Sequence, residues 1–288
     1  MEPYFESLFL PVEPFPARCL ITATMEHAMQ VHPHWHPEVE ILFYMNRCAL
    51  QQVNDTFFTA EPGDVVIIGR DQLHSTYTIG KSSCSIMVIQ FDAGRLLEPI
   101  TGNQGIPIAD FNHETVYDNP IKTTGHKGEQ LKQTVEELYA ELEEKKPAHQ
   151  YMVRAAIYRL TGLLSRMGAF HKSSKATAEH MSHIHDMLEK TFRLVDESFA
   201  EEISLRDAAN SANLSTTHFC RLFRQSTGMT FHEYLTFYRV NRAEKMLDSK
   251  KKIAEVAFDC GFGSVSSFLR NFQKYKNCTP SQSMQDRE

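Results

Sequence analysis

A helix pattern that occurs twice in the last third of the chain constrains the fold more than any other sequence feature. Residues 205–209 (LRDAA) correspond to residues 253–257 (IAEVA), 48 positions further along. Each copy continues into a residue that accepts the left-handed backbone conformation, Asn213 in the first and Gly261 in the second. Two short helices joined by such a tight turn make a helix-turn-helix. The sequence therefore predicts two copies of this motif.

The second helix of each motif carries a pair of phenylalanines four positions apart, Phe219 with Phe223 and Phe268 with Phe272. This spacing buries one helix face and turns the intervening positions outward. The outward set of the first helix, called the first ridge here, is Thr216, Thr217, His218, Arg221, Arg224 and Gln225. The outward set of the second helix, the second ridge, is Ser264, Val265, Ser267, Arg270, Asn271 and Lys274. Hydroxyl, amide and guanidinium groups of this kind contact base edges and phosphates of DNA.

Charge is distributed unevenly along the chain. Residues 203–280 hold 12 Lys and Arg against 6 Asp and Glu, a net charge of +6, whereas the whole chain carries −6. A basic segment on an acidic chain indicates a module that binds a polyanion. The competing interpretation is an all-α domain that binds protein, with a solvated basic face. The duplicated motif, at about 204–226 and 252–275, favours double-stranded DNA.

The first third of the chain has the pattern of short strands, from about residue 17 to 92. Its β-branched and aromatic runs, separated by turn residues, predict a sandwich or a small barrel. The clearest runs are 39–45, 56–59, 64–68 and 84–91.

From residue 129 the apolar residues recur at helical spacing, with Pro147 dividing the region into two helices. These helices predict a hairpin over about 129–170. The fold class is therefore α+β with two domains. The first is an effector-sensing or dimerisation domain over 1–170, the second a DNA-binding domain over 179–288, and a polar linker at 171–178 joins them.

Composition excludes several other classes. Hydrophobic residues make up 42% and charged residues 23% of the chain, as in an ordinary globular protein. No apolar run approaches the length of about 18 residues that a membrane helix needs, and the acidic start is unlike a signal peptide. The six cysteines are scattered without a C-x-x-C pair, which fits free thiols in a reducing compartment. We therefore expect a soluble, cytoplasmic protein with no membrane partner.

The C-terminal motifs resemble the DNA-binding domain of AraC/XylS-type transcription regulators over about residues 180–282. The matching runs are SLRDAA (204–209), LSTTHFCRLFRQSTGMTFHEYL (214–235) and IAEVAFDCGFG (253–263). Asn277, where the family has Gly, and Ser267, where it has an aromatic, depart from the pattern. The resemblance implies a homodimer that binds promoter DNA and acts as an activator in contact with RNA polymerase. It also implies that the N-terminal domain senses a small molecule, with a carbohydrate as the first candidate.

A histidine-rich segment stands out in the N-terminal part. His34, His36, Glu38 and Glu40 share one face if residues 34–40 are extended, and an adjacent strand is expected to bring His74 close. This pattern resembles the metal-ligand motif of cupin barrels. Three imidazoles and a carboxylate suit a divalent transition metal, which gives a candidate metal site.

The candidate metal ligands are His34, His36, Glu40 and His74. In the alternative interpretation, the same residues together with Glu38 contact a small effector directly or line the barrel. No other cofactor is indicated, and no nucleophile arrangement is evident.

Three functions compete at this point. The first is a transcription regulator that responds to a small molecule. The second is a metal-dependent cupin enzyme, an oxygenase or isomerase, with an accessory DNA-binding domain. In the third, the N-terminal barrel only mediates dimerisation.

Overall fold

The structure, a computed structural model, describes residues 15–23, 30–78, 84–97, 111, 115–247, 251–276 and 278–285. Contacts divide the chain into two compact units, with the boundary between Ala178 and Glu179. The part before this boundary is called the sheet unit and the part after it the helical unit. Asn277 lies outside the described residues.

The sheet unit is built mainly from antiparallel strands. These are β1 (Ala17–Ala23), β2 (Gln30–His34), β3 (Val39–Tyr44), β4 (Ala49–Val53), β5 (Thr56–Ala60), β6 (Val65–Ile68), β7 (His74–Thr78) and β8 (Ser85–Phe91). The first sheet has the order β1-β8-β3-β6, and the second has the order β2-β7-β4-β5. Neighbours that are distant in sequence therefore lie side by side in both sheets.

The central strand β3 is buried along its whole length because it is covered on both faces. Val39, Ile41 and Phe43 point to one side, into a core shared with the helices that follow. Leu42 and Tyr44 point to the other side, into a core that also contains residues of β4 and β5. The alternation therefore directs Glu40, which lies between Val39 and Ile41, into the space between the two sheets.

The predicted helical hairpin is present as α2 (Gly125–Glu144) and α3 (His149–Met167), with Pro147 in the turn between them. Leu131, Val135 and Leu138 of α2 are fully buried in the core beneath the first sheet. A short helix α1 (Ala93–Leu96) and a small sheet of β9 (Thr115–Tyr117) and β10 (Phe170–Lys172) complete this unit.

The segment 171–178, which the sequence predicts as a linker, contains regular structure. Its first residues belong to β10, where His171 pairs with Val116. Its last residues form the first turn of α4 (Lys175–Ser198). The polar composition of this segment does not prevent strand pairing or helix formation, since neither requires apolar side chains at exposed positions.

The described residues of the helical unit form the end of α4 and six further helices. These are α5 (Leu205–Ser211), α6 (Thr216–Thr227), α7 (Phe231–Met246), α8 (Ile253–Asp259), α9 (Val265–Lys276) and α10 (Pro280–Gln285). Helices α5 and α6 form the first predicted helix-turn-helix, and α8 and α9 form the second. Together with the sheet unit, they confirm the predicted α+β class with two domains. No helix of the described residues is both long and apolar enough to cross a membrane.

Side-chain caps mark the starts of several helices in this unit. Ser204 and Asp207 form a reciprocal capping box at the start of α5, and Thr230 and Glu233 form another at the start of α7. The start of α10 has the same bond as the start of α7: the Thr279 N–H donates to Gln282 Oε1 at 2.8 Å, as the Thr230 N–H donates to Glu233 Oε2. These bonds satisfy backbone N–H groups that have no partner inside the helix.

The paired phenylalanines of both motifs point inward, as predicted. Phe219, Phe223, Phe268 and Phe272 are all fully buried. The rings of each pair are in contact, with centroids 5.3 Å apart in α6 and 5.5 Å apart in α9. The opposite faces of α6 and α9 are consequently the ones that carry the two ridges.

Candidate functional site

The first ridge lies almost entirely on the surface of the helical unit. Five of its six residues are exposed, and His218 is half-buried. Ser215 caps the helix by accepting a hydrogen bond from the His218 N–H. Thr216 and Thr217 therefore stand at the N-terminal turn, which is the part of a recognition helix that enters the major groove. Arg221 and Arg224 follow along the same face.

The second ridge is less exposed. Ser264, Arg270 and Lys274 are exposed, whereas Val265, Ser267 and Asn271 are half-buried. The Asn271 amide donates to the Ser267 carbonyl oxygen at 2.9 Å, which engages it within its own helix.

Exposed side chains that the sequence prediction did not assign also lie on these two helices. Cys220 of α6 and Leu269 of α9 are exposed, the latter to 40%. Each residue directly follows the first phenylalanine of its pair, and helical periodicity turns that position away from the buried face. This pattern would have predicted their exposure.

A second cluster of polar residues lies between the two sheets of the sheet unit. Arg18, Gln90 and Glu40 form a row across β1, β8 and β3, because Gln90 is the register partner of both others. His34 and His74 are register partners across β2 and β7 of the second sheet. Antiparallel pairing places partners directly opposite each other on the same face.

The four predicted metal-ligand residues meet in this space, and they are called the histidine cluster here. One ligand atom from each of His34, His36 and His74 lies within 4.8 Å of the others. Glu40 Oε2 is 3.4 Å from His36 Nε2, and Glu40 Oε1 is 3.7 Å from His74 Nε2. His36, His74 and Glu40 are buried.

Backbone carbonyls fix the orientation of two of these imidazoles. His36 Nδ1 lies 3.0 Å from the Glu38 carbonyl oxygen, and His74 Nδ1 lies 2.8 Å from that of Gln72. A carbonyl only accepts hydrogen bonds, so each Nδ1 carries the hydrogen. Protonation then adds a hydrogen at Nε2, so a protonated His36 points its Nε2–H toward Glu40 Oε2.

The cluster also perturbs the pKa values of its members. Burial opposes the charged form of Glu40, but the hydrogen bond with His36 and the charges of His74, His36 and His34 outweigh it and lower the Glu40 pKa. Burial likewise opposes protonation of His36, but Glu40 and Glu38 raise its pKa. Burial, supported by the charge of His34, holds the pKa of His74 well below its usual value. Glu40 thus stays ionised and attracts positive charge.

The backbone conformation that brings these residues together differs from the extended strand that the sequence analysis considered. Residues 34–40 are not one extended strand: β2 ends at His34, the chain bends at 37–38, and β3 begins at Val39. Pro37 cannot donate to a strand ladder, which is consistent with the break. Glu38 lies outside the cluster proper, with Oε2 3.5 Å from His36 Nδ1.

Two further polar residues border the histidine cluster and were not predicted. Gln90 Nε2 donates to Glu40 Oε2, and Arg18 Nε donates to Gln90 Oε1 at 2.7 Å. Gln90 is the only amide in the otherwise apolar run 86–91 (IMVIQF). A lone polar residue in a buried strand is the signal that points to it. Arg18 has no comparable local signal.

Comparisons with known proteins agree with this architecture. The family described as AraC-like ligand binding domain matches residues 15–161, and a helix-turn-helix domain family matches residues 208–286. A ligand-binding domain joined to a helix-turn-helix domain defines a DNA-binding transcription regulator rather than an enzyme. The match over 15–161 covers more than half of the chain, and this protein belongs to the AraC family of such regulators.

Two curated relatives that span most of the chain are HTH-type transcriptional regulators. The uncharacterized HTH-type transcriptional regulator YdeC of Bacillus subtilis is 21% identical over 92% of this chain and 90% of its own. The HTH-type transcriptional activator RhaR of Escherichia coli (strain K12) is 26% identical over 86% of this chain and 85% of its own. A crystal structure of ToxT from Vibrio cholerae O395 is 12% identical, with a TM-score of 0.48, over 93% of this chain and 98% of its own.

Proposed function

We propose that the two ridges bind neighbouring major grooves on one face of promoter DNA, about one helical turn apart. The observation that carries this proposal is the burial of both phenylalanine pairs, which leaves both ridges facing outward. Arg221 and Arg270 are the best candidates for guanine contacts, since exposed guanidinium groups bind guanine in a bidentate manner. Arg224 and Lys274, nearer the C-terminal ends, would bind phosphates.

The N-terminal domain would sense a small polar molecule in the space between the two sheets. Arg18, Gln90, Glu40 and the histidines supply hydrogen-bond donors and acceptors there, and such a set suits the hydroxyl groups of a carbohydrate. Effector binding would change operator affinity only if the effector prefers one of two arrangements of the protein.

The remaining parts of the proposal concern assembly and regulation. Exposed Tyr151 (77%), Met152 (53%) and Tyr158 (36%) give α3 an apolar outer surface that fits a homodimer contact. We expect activation through contact with RNA polymerase, in the cytoplasm where promoter DNA of the bacterial relatives resides.

Selection of bound sequences from a random pool of duplex DNA tests the operator proposal. We expect one enriched sequence with two conserved blocks about 10 base pairs apart. The affinity for it should fall steeply as salt rises, because phosphate contacts release counterions. Failure to enrich any sequence, with the chain folded by circular dichroism, would contradict the proposal.

Thermal unfolding of the full chain with a panel of carbohydrates tests the effector proposal. A ligand that binds the folded state raises the melting temperature with its concentration. The Gln90→Ala variant should lose this shift, whereas Gln130→Ala on the surface of α2 should keep it. No shift across the panel would contradict a carbohydrate effector and would favour an N-terminal domain that only dimerises.

A further inference from the structure

Two buried hydrogen-bond acceptors face each other between the two sheets. His74 Nδ1 donates to the Gln72 carbonyl oxygen at 2.8 Å, and burial holds the pKa of His74 low, so its Nε2 carries a lone pair. This atom lies 3.7 Å from Glu40 Oε1, which as a carboxylate oxygen also accepts only. His74 is 1% exposed and Glu40 is buried as well. Burying such atoms is unfavourable unless each receives a hydrogen bond.

The nearby donors serve the other oxygen of Glu40. Gln90 Nε2 donates to Glu40 Oε2, and His36 Nε2 faces the same oxygen at 3.4 Å. Arg18 Nε donates to Gln90 Oε1 at 2.7 Å, so the guanidinium bonds to the amide and not to the carboxylate. His74 Nε2 has no hydrogen-bond partner among the described residues. The space beside Glu40 Oε1 and His74 Nε2 is therefore suited to donors from a bound molecule.

The number of hydrogens on a group decides how well it fits this space. A hydroxyl group has one hydrogen and can donate to only one of the two acceptors, whereas a protonated primary amine has three. A nitrogen about 2.9 Å from each acceptor can donate to both, because the acceptors lie 3.7 Å apart. The amine also carries a positive charge that pairs with the ionised Glu40, and charge-assisted hydrogen bonds are about twice as strong as neutral ones.

We propose that the effector is an amino sugar whose protonated amino group binds between Glu40 Oε1 and His74 Nε2. This inference deepens the proposed carbohydrate-sensing function and rests on it. Arg18 and Gln90 lie in the same row as Glu40 and supply contacts for the hydroxyl groups of the ring. Glu40 and His74 are then the residues that select an amino sugar over the parent sugar.

The test compares sugars that differ in a single group. Glucosamine, galactosamine and mannosamine are matched with glucose, galactose and mannose, which carry a hydroxyl group in place of the amino group. Each is titrated into the full chain by calorimetry, in a slightly acidic buffer that keeps the amine protonated. We expect at least one amino sugar to bind about tenfold or more tightly than its parent, because the amine donates to both acceptors and one of them is charged.

Variants assign the preference to this pair of acceptors. Glu40→Gln should remove it, because the side chain becomes neutral and its own amide can donate to His74 Nε2. His74→Phe keeps a ring but removes the acceptor, so the preference should fall by about threefold, less than in Glu40→Gln. Glu136→Gln makes the same change on the exposed surface of α2 and should keep the full preference.

Three results would overturn the inference. One is equal or tighter binding of the parent sugar in every pair, which is expected if a water molecule serves both acceptors and which leaves carbohydrate sensing intact. The second is no binding of any of the six sugars, in which case the wider carbohydrate panel decides whether the sensing function stands. The third is a preference that Glu40→Gln retains with its fold intact by circular dichroism. If Glu40→Gln does not fold, His74→Phe makes the same test.

Discussion

The two helix-turn-helix motifs have the same plan but differ in how much of each is available to DNA. Arg221, Arg224 and Gln225 of the first ridge are all exposed, whereas Ser267 and Asn271 of the second are half-buried and bonded to each other. Duplication has therefore preserved the buried phenylalanines more closely than the polar face. We infer that the first motif makes more of the base contacts, and that the second contributes fewer, with Arg270 as its candidate guanine contact.

The turns of the two motifs share a backbone conformation, but the turn of the second motif is packed against neighbouring backbone. Asn213 (φ 56°) and Gly261 (φ 76°) both adopt the left-handed conformation. A Cβ atom at Gly261 would lie 2.7 Å from the Ala200 carbonyl oxygen and 2.8 Å from that of Phe199. Arg239 also holds this segment, which follows α4, by donating to the Phe199 oxygen at 2.7 Å. The second motif is thus built closely against the turn after α4.

The largest expected effect distinguishes these two turns. Gly261→Ala should lower the free energy of unfolding by about 2–4 kcal/mol, because it adds both backbone strain and a clash with backbone oxygens. Asn213→Ala should cost about 1 kcal/mol, from backbone strain alone. Urea unfolding measures both, with Asn213→Gly as a control that should be nearly neutral. Equal costs for the two alanine variants would contradict the difference between the turns.

Operator affinity tests the difference between the two ridges. Arg221→Ala should weaken binding to the selected operator by about 1–3 kcal/mol, as expected when a bidentate base contact is lost. Arg270→Ala should weaken it less, and with less effect on sequence preference. Fluorescence anisotropy at fixed salt measures both.

The control for the ridge variants is Arg193→Ala on α4, an exposed arginine paired with Glu189. It removes the same charge from the same unit but from a different helix. If Arg193→Ala costs as much as Arg221→Ala, the effect comes from net charge. If Arg270→Ala costs more than Arg221→Ala, the assigned roles are reversed.

The N-caps of the first helix in each motif also differ, and the expected effect on stability is smaller. Ser204 caps α5 through its side chain, whereas Lys252 at the corresponding position of α8 provides no side-chain cap. Ser204→Ala should destabilise the protein by about 1 kcal/mol, and Lys252→Ser should stabilise it by about 0.5–1 kcal/mol. Thermal or urea unfolding of both variants checks the two signs. A loss of stability in Lys252→Ser would show that the second motif depends on the lysine.

The smallest expected effect concerns Glu233 on α7, the helix between the two motifs. Hydrogen bonds from the Thr230 N–H and hydroxyl, helped by the charges of Lys274 and Arg224, lower the pKa of Glu233. Its stabilising contribution is therefore present above the ordinary value of 4.5 and is lost as pH falls through the lowered pKa. The stability difference between wild type and Glu233→Gln should shrink on acidification. A difference that grows in acid would be contrary to this account.

How well the sequence predicts a region depends on how far apart in sequence the contacting residues of that region lie. The pairs Phe219–Phe223 and Phe268–Phe272 depend on residues one helical turn apart, so their arrangement was predicted correctly. The histidine cluster depends on register between distant strands. Its members were predicted from a motif, but the supporting row of Arg18, Gln90 and Glu40 spans three strands. No local pattern specifies which residues of three strands lie side by side.

Hydroxyl-radical footprinting of the full chain on its selected operator tests the central claim most directly. If the two ridges occupy neighbouring grooves, the footprint will show two protected patches about 10 base pairs apart on one face of the duplex for each bound chain. Arg221→Ala should weaken one patch and Arg270→Ala the other. A single protected patch per chain, or two patches that both variants weaken equally, would contradict the account.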